Sequence, residues 1–202
     1  MPLSLTEPIL VPVRLPGDEE DSWIDILDEL ARQRTLFLCD EVETELSNEI
    51  ICLMIYLGME NTSQSLYLFI NSPGGEVISG MAIHNVMQFI PSGIVTICLG
   101  LAASIASYIL VGGAYKKRVA FPHARIMLHQ PSANFEVDKE EEEEDELYGE
   151  FAELMTLRER IVRGYSERTG KPPWIISQDL ERDVYMSATE AKAYGIVDHV
   201  DI

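Results

Sequence analysis

Apolar and polar positions along this chain follow two periods in turn, and the switches between them mark its elements. Leu66-Tyr-Leu-Phe-Ile70 and Ile94-Val-Thr-Ile-Cys-Leu99 are short apolar runs rich in β-branched and aromatic residues, the pattern of buried strands. Each gives way to helical spacing. Val77, Met81, Ala82, Val86 and Phe89 recur at the period of an amphipathic helix from about Val77 to Ile90. The stretch after Ser104 reads as a helix to Val111, stopped by Gly112-Gly113. Arg125-Ile-Met-Leu128 is a further short strand, closed by His129. Strand followed by helix, repeated, predicts an α/β domain built on βαβ units.

The candidate chemistry sits in the turns between these elements. Gly100-Leu-Ala-Ala-Ser-Ile-Ala-Ser107 puts Ser104 at a strand-to-helix turn, where the helix dipole and free backbone N–H groups favour developing negative charge. Ala102 and Ala106 stand where a Gly-x-Ser-x-Gly elbow has glycines, so the run is related to that motif without matching it. A helix-packing seam of small residues explains the same segment equally well. Asn71-Ser-Pro-Gly-Gly75 allows a turn with positive φ and outward N–H groups, able to hold an oxyanion or an extended peptide, or simply to reverse the chain. His129 is one of four histidines, and a histidine at a strand end is more often structural than catalytic. Asp179 and Asp183 both offer a carboxylate to orient an imidazole. Ser187, with Glu190 three residues on, forms a capping box for a helix starting there.

Composition narrows the setting. With 202 residues, 47% of them hydrophobic, the chain can bury one substantial core, so one domain is expected. Three cysteines, two of them (Cys52 and Cys98) inside apolar runs, read as reduced small hydrophobes; no disulfide framework and no metal-ligand spacing is evident. From Val77 to Tyr115 no residue carries a formal charge, and Lys116-Lys-Arg118 follows, which imitates a membrane span. Pro91-Ser-Gly93, Gly100 and Gly112-Gly113 cut that stretch into strand and helix lengths, which favours a buried βαβ core and no membrane span. The net charge of −19 disfavours nucleic acid as a partner. More than half of it lies in residues 136–153, where eleven acids face Lys139 alone. Such a block is usually a solvated face.

Taken together, Ile70-Asn-Ser-Pro-Gly-Gly75, Met87-Gln-Phe89, Thr96-Ile-Cys-Leu-Gly-Leu-Ala-Ala-Ser104, Met127-Leu-His-Gln-Pro131, Glu181-Arg-Asp183, Met186-Ser-Ala-Thr-Glu-Ala191 and Tyr194-Gly-Ile-Val-Asp198 closely resemble the ClpP family of self-compartmentalised serine peptidases. The motifs cover about residues 23 to 200. The resemblance implies a crotonase-like ClpP fold, a single α/β head with a protruding handle near residues 131–180, preceded by an N-terminal pore loop over residues 1–22. It implies Ser104 as nucleophile, His129 as general base and then acid, Asp183 as orienter of the imidazole, and the N–H groups of Gly75 and Ile105 as the oxyanion hole. It further implies two stacked seven-membered rings, of one subunit type or several, enclosing a chamber for unfolded protein substrates. A partner AAA+ Clp ATPase of the ClpC or ClpX type feeds that chamber, docking at Tyr67, Phe69, Phe89, Val119 and Phe121, residues that a plain core would also explain. No Gly-x-x-x-x-Gly-Lys-Ser/Thr loop occurs, so the expectation is no cofactor here and ATP use by the partner.

Phe121-Pro-His-Ala-Arg125, Arg168-Thr-Gly-Lys-Pro172 and Leu110-Val-Gly-Gly113 resemble the chloroplast and cyanobacterial branch. With Met1-Pro2 and no basic leader, the expected setting is the chloroplast stroma, the bacterial cytoplasm being the alternative. The acidic block falls where the family places its handle. Ala106 and His84-Asn85 replace the more usual Gly and Tyr-Asp. Two rival functions share parts of this pattern: a structural or weakly active ring subunit, which would typically lack a triad member, and a crotonase-type acyl-CoA enzyme, which would need an oxyanion hole but no triad.

Overall fold

The computed structural model describes residues 8–14, 21–132 and 144–201. Its elements run β1 (Leu10–Val13), β2 (Ser22–Asp25), α1 (Ile26–Arg32), β3 (Thr35–Leu38), α2 (Thr44–Glu60), β4 (Leu66–Ser72), α3 (Val77–Phe89), β5 (Ile94–Ala103), α4 (Ile105–Val111), β6 (Arg118–Ala120), β7 (Arg125–Leu128), α5 (Glu144–Thr169), α6 (Pro173–Asp179), β8 (Val184–Ser187), α7 (Ala188–Tyr194) and β9 (His199–Val200). The strands and helices that the apolar periods predict are all present, β4 and β5 each running a few residues further than the apolar pattern alone indicates. β1 and β2 form an antiparallel hairpin, so the described part of the N-terminal segment is paired. Of the acidic block, residues 136–143 lie outside the described residues and the rest opens α5.

The main sheet has the order β3-β4-β5-β6-β9, and every pair along that path is parallel. Alternation sorts its residues: in β4, Leu66, Leu68, Ile70 and Ser72 are buried, whereas Tyr67 and Asn71 are exposed. The apolar face is covered by helices, and Met54 of α2, Ile83 of α3 and Ile109 and Leu110 of α4 are fully buried there. All seven residues of α4 are buried. That explains the uncharged run from Val77 to Tyr115: it is α3, β5 and α4, the centre of the core. No helix among the described residues is long and apolar enough to cross a membrane.

β5 holds the device that creates a site. Its first half pairs with β4 and β6, but after Cys98 opposite Ala120 the β6 ladder ends, and Leu101–Ala103 pair instead with Arg125–Met127 of β7. The sheet forks. On the other flank, the β4 register shifts between Ile70 and Ser72, and the Asn71 side chain fills the gap by accepting the N–H of Leu101 at 3.0 Å. A Cβ on Gly100 would stand 2.7 Å from that same oxygen, so glycine is required there.

The far edge is locked by one ion pair. The Arg118 guanidinium donates to both carboxylate oxygens of Asp198, at 2.9 and 2.6 Å, and to the carbonyls of Arg168 and Gly195. Burial pushes the Asp198 carboxyl up, but these bonds and the neighbouring charge outweigh it and hold the group below its ordinary value. One arginine thereby ties β6 to the end of α5 and to the turn before β9.

Candidate active site

Ser104 caps the N-terminus of α4 with φ 55° and ψ −128°, a conformation that a residue bearing a Cβ rarely adopts. Such backbone costs of order 1–3 kcal/mol and persists only where the surroundings enforce it. Here they do. β5 delivers the residue from one side, α4 is buried along its whole length on the other, and the Ser104 N–H donates to the Met127 carbonyl of β7 at 3.0 Å. The turn lifts Oγ out of the sheet toward the end of β7.

His129 follows β7 directly, and its Nε2 lies 2.7 Å from Ser104 Oγ. Asp183 directly precedes β8, which runs antiparallel to β7 with Leu128 opposite Val184, so the next step along that register sets Asp183 across from His129. Asp183 Oδ1 stands 3.4 Å from His129 Nδ1. The three side chains thus form a continuous line: with Nδ1–H directed at the carboxylate, Nε2 presents its lone pair to the Ser104 hydroxyl. Asp179, the other candidate, is engaged elsewhere. It accepts the Tyr194 hydroxyl at 2.7 Å, which together with burial raises the phenol above its ordinary value.

The glycine turn packs against the serine. Gly74 has φ +103°, and a Cβ there would lie 2.7 Å from Ser104 Cβ; Gly75 has φ +148°, and a Cβ there would come within 2.4 Å of the Val42 carbonyl oxygen. Val42 N–H donates to Gly74 and Glu76 N–H donates to Val42, each at 2.7 Å, which fixes the turn while leaving the Gly75 N–H without a backbone acceptor among the described residues. Ile105 opens α4, so its N–H is likewise one of the unpaired donors of a helix start. Gly80 of α3 makes room for this arrangement, since a Cβ there would meet Ile105 Cγ1 at 2.2 Å.

The family model described as Clp protease matches residues 17–201. This chain belongs to the Clp protease family. It is 59% identical over 192 residues to the chloroplastic ATP-dependent Clp protease proteolytic subunit 1 of Arabidopsis thaliana, across 95% of this chain and 96% of that protein. ATP-dependent Clp protease proteolytic subunits of Barbarea verna and Nasturtium officinale are 58% and 57% identical with the same coverage.

Of the expected docking residues, Tyr67 and Phe69 lie on β4 and Val119 on β6, while Phe89 ends α3 and Phe121 follows β6. Tyr67 is 43% exposed, Phe89 71% and Phe121 36%, which a core role does not explain. Phe69 pairs in register with Ile97, and Ile97 with Val119, so Phe69 and Val119 lie in one row across the strands, with Phe37 stacked on Phe69 at 5.5 Å. A cavity of about 570 Å³ lies apart from Ser104, between α1, β3 and α2. Cys98 is buried, its thiol pushed up to about 12 by desolvation. Cys52, although inside an apolar run of the sequence, is exposed, because that run is helical and turns this position outward. Sequence reasoning missed the supporting roles of Asn71 and Gly74; both stand inside Asn71-Ser-Pro-Gly-Gly75, where only the outward N–H groups of the turn were weighed, not the Asn71 side chain or the packing of Gly74 on Ser104.

Proposed function

We propose that this chain is the proteolytic subunit of an ATP-dependent Clp protease, a serine endopeptidase acting on unfolded protein chains. The observation that carries the reading is the unbroken line from Ser104 Oγ through His129 to Asp183 beside a turn with unpaired N–H donors. A peptide carbonyl placed over Ser104 is attacked by Oγ as His129 Nε2 takes the hydroxyl proton. Charge then develops on the old carbonyl oxygen, to which the N–H groups of Gly75 and Ile105 donate hydrogen bonds; one such donor typically contributes about 10²–10³ in turnover. His129 returns its proton to the leaving amine, a water repeats the sequence on the acyl-enzyme, and Asp183 stabilises the imidazolium at both stages. The strained φ of Ser104 serves the same end, holding Oγ clear of the helix.

The reading includes ring subunits as neighbours and a Clp ATPase as the partner that uses ATP and docks on the row around Tyr67 and Phe69. A plastid setting is supported by the chloroplastic relative, and the reading places the chain within it in the stroma. A fluorophosphonate probe applied to the purified protein should label Ser104 alone, and Ser104→Ala should remove both labelling and peptidase activity, a loss of about 10⁶ in turnover in triads of this kind. Labelling that survives the substitution would overturn the assignment.

A further inference from the structure

A second cluster of chemistry-bearing side chains lies where α3, α4 and α5 meet. On α5, Arg160, Gly164 and Arg168 fall four residues apart, with Arg163 and Glu167 one position earlier on the same stripe. These residues, with Met81, His84, Asn85 and Gln88 of α3 and Tyr108 of α4, line a cavity of about 350 Å³.

His84 is the anomaly. It is only 7% exposed and stacks on the Tyr108 ring at 4.3 Å, yet neither ring nitrogen has a hydrogen-bond partner among the described residues. A buried donor or acceptor left unmade costs about 1–3 kcal/mol. The ring cannot easily withdraw toward α4, because Gly112 is already close enough that a Cβ there would meet His84 Cδ2 at 2.5 Å. The surroundings are also one-sided in charge. Three guanidiniums share the cavity with one carboxylate, Glu167, and none of the three arginines makes an ion pair among the described residues. Gln88 accepts a hydrogen bond from the Arg168 guanidinium and donates its amide to the Gly112 carbonyl at 2.9 Å, holding that charge at the wall. In a chain of net charge −19, this is a local excess of positive charge around a polar group that lacks a partner.

We propose that this cavity binds an oxyanion of the phosphate class, free or as a phosphate ester, with the guanidiniums of Arg160, Arg163 and Arg168 and the imidazole of His84 as its donors. Planar guanidinium forks match tetrahedral oxyanions better than they match a lone carboxylate. An anion there satisfies His84 and offsets the clustered charge in one step. The proposal does not depend on the role of Ser104, which lies at the start of α4, about one turn before Tyr108.

Binding is coupled to a proton. Burial and the Arg168 charge depress the imidazole to about 4. The groups facing it are Asn85 and Gln88 on α3, Tyr108 on α4, and Arg160, Arg163, Glu167 and Arg168 on α5, with Arg118 behind Arg168. An adjacent anion favours the imidazolium, so binding at pH 6 takes up a proton.

Equilibrium dialysis of the full chain in its native assembly against labelled orthophosphate tests this. One saturable site per chain is expected, weakened at least tenfold by Arg160→Gln with Arg163→Gln and unchanged by the control Arg32→Gln on α1. Both α5 arginines are exposed, so the double variant is expected to fold, which circular dichroism checks. Calorimetry at pH 6 in buffers of different ionisation enthalpy should show proton uptake that His84→Asn abolishes while binding persists in weakened form. Adenosine monophosphate binding tighter than orthophosphate identifies an ester as the ligand, and equal or weaker binding identifies the free anion; either supports the site. No saturable binding at several millimolar, unchanged binding by the double arginine variant, or acetate competing as well as phosphate would each overturn it.

Discussion

His129 and His84 share one fold and are held in opposite ways. His129 stands at a strand end with Nε2 against Ser104 Oγ and Nδ1 toward Asp183, its side chain 29% exposed. His84, on α3, is stacked on Tyr108 with neither ring nitrogen paired among the described residues. Beside the first imidazole stands a carboxylate; a proton added to the second meets burial and the Arg168 charge. The residue type is the same, and the surroundings decide whether its charge is used or suppressed.

The most direct way to break this contrast is to remove the carboxylate from His129. In Asp183→Asn the amide can donate to Nδ1, which favours the tautomer whose Nε2 carries a hydrogen and cannot accept from Ser104. Turnover of a fluorogenic peptide should fall by about 10⁴, as it does for the wrong tautomer in related triads, with ring assembly unchanged. Turnover within tenfold of the wild type would show that Asp183, 59% exposed and 3.4 Å away, does not orient the imidazole.

The next effect belongs to His84 and concerns stability. Its folded value, about 4, lies below the ordinary 6.5, so between those two values the unfolded chain binds more protons than the folded one. Stability therefore declines as pH falls from about 6.5 toward 4, by roughly 3 kcal/mol over the whole window if the imidazole stays neutral in the fold. Denaturant melts in phosphate-free buffer across that range should show this loss, and His84→Gln, which cannot titrate, should be markedly flatter. Equal slopes for the two proteins would mean that other groups carry the acid sensitivity. Added orthophosphate should recover part of the loss in the wild type alone.

The two histidines also differ in how legible they were. The strands, helices and turns around Ser104 follow from local pattern: an apolar run, a glycine turn and a helical period, each readable within a dozen residues. What local pattern does not contain is the β7–β8 register that sets Asp183 across from His129, 54 positions away along the chain. Family resemblance supplied that choice, whereas residue counting left Asp179 and Asp183 level until the Tyr194 hydroxyl claimed Asp179. For His84 there was no such aid. The chain shows His84-Asn85 only as a departure from the usual Tyr-Asp, and nothing near Arg160, Arg163 and Arg168 in sequence points to His84. Their meeting is a product of how α3 and α5 pack across α4, a tertiary fact without a local signature. Cys52 illustrates a smaller version of the same gap, since an apolar run does not say which way a helix turns.

The smallest expected effect tests whether the two regions are independent. Gly164 lets α5 approach Tyr108: a Cβ there would lie 2.2 Å from the phenol oxygen and 2.7 Å from Cε2. In Gly164→Ala the Tyr108 ring must shift, and with it the surface that His84 stacks on and the edge contact to Tyr165 at 5.3 Å. Overpacking of this kind costs about 1–3 kcal/mol, while alanine gains about 0.5–1 kcal/mol over glycine inside a helix. A net loss of about 1 kcal/mol is expected, a fall in melting temperature of roughly 2–4 °C for a chain of this length. Displacing the tyrosine also opens His84 to water, so the acid sensitivity described above should shrink. Peptide turnover should stay within twofold, because Ser104 is fixed by β5, by the Met127 carbonyl and by the Ser107 hydroxyl, which donates to the Ser104 carbonyl at 2.7 Å. Ser107 Oγ, however, also lies 2.6 Å from the Tyr165 hydroxyl, and Tyr165 touches Tyr108. If turnover falls together with stability, that chain of contacts transmits the state of the cavity to the nucleophile, and the two histidines belong to one coupled system.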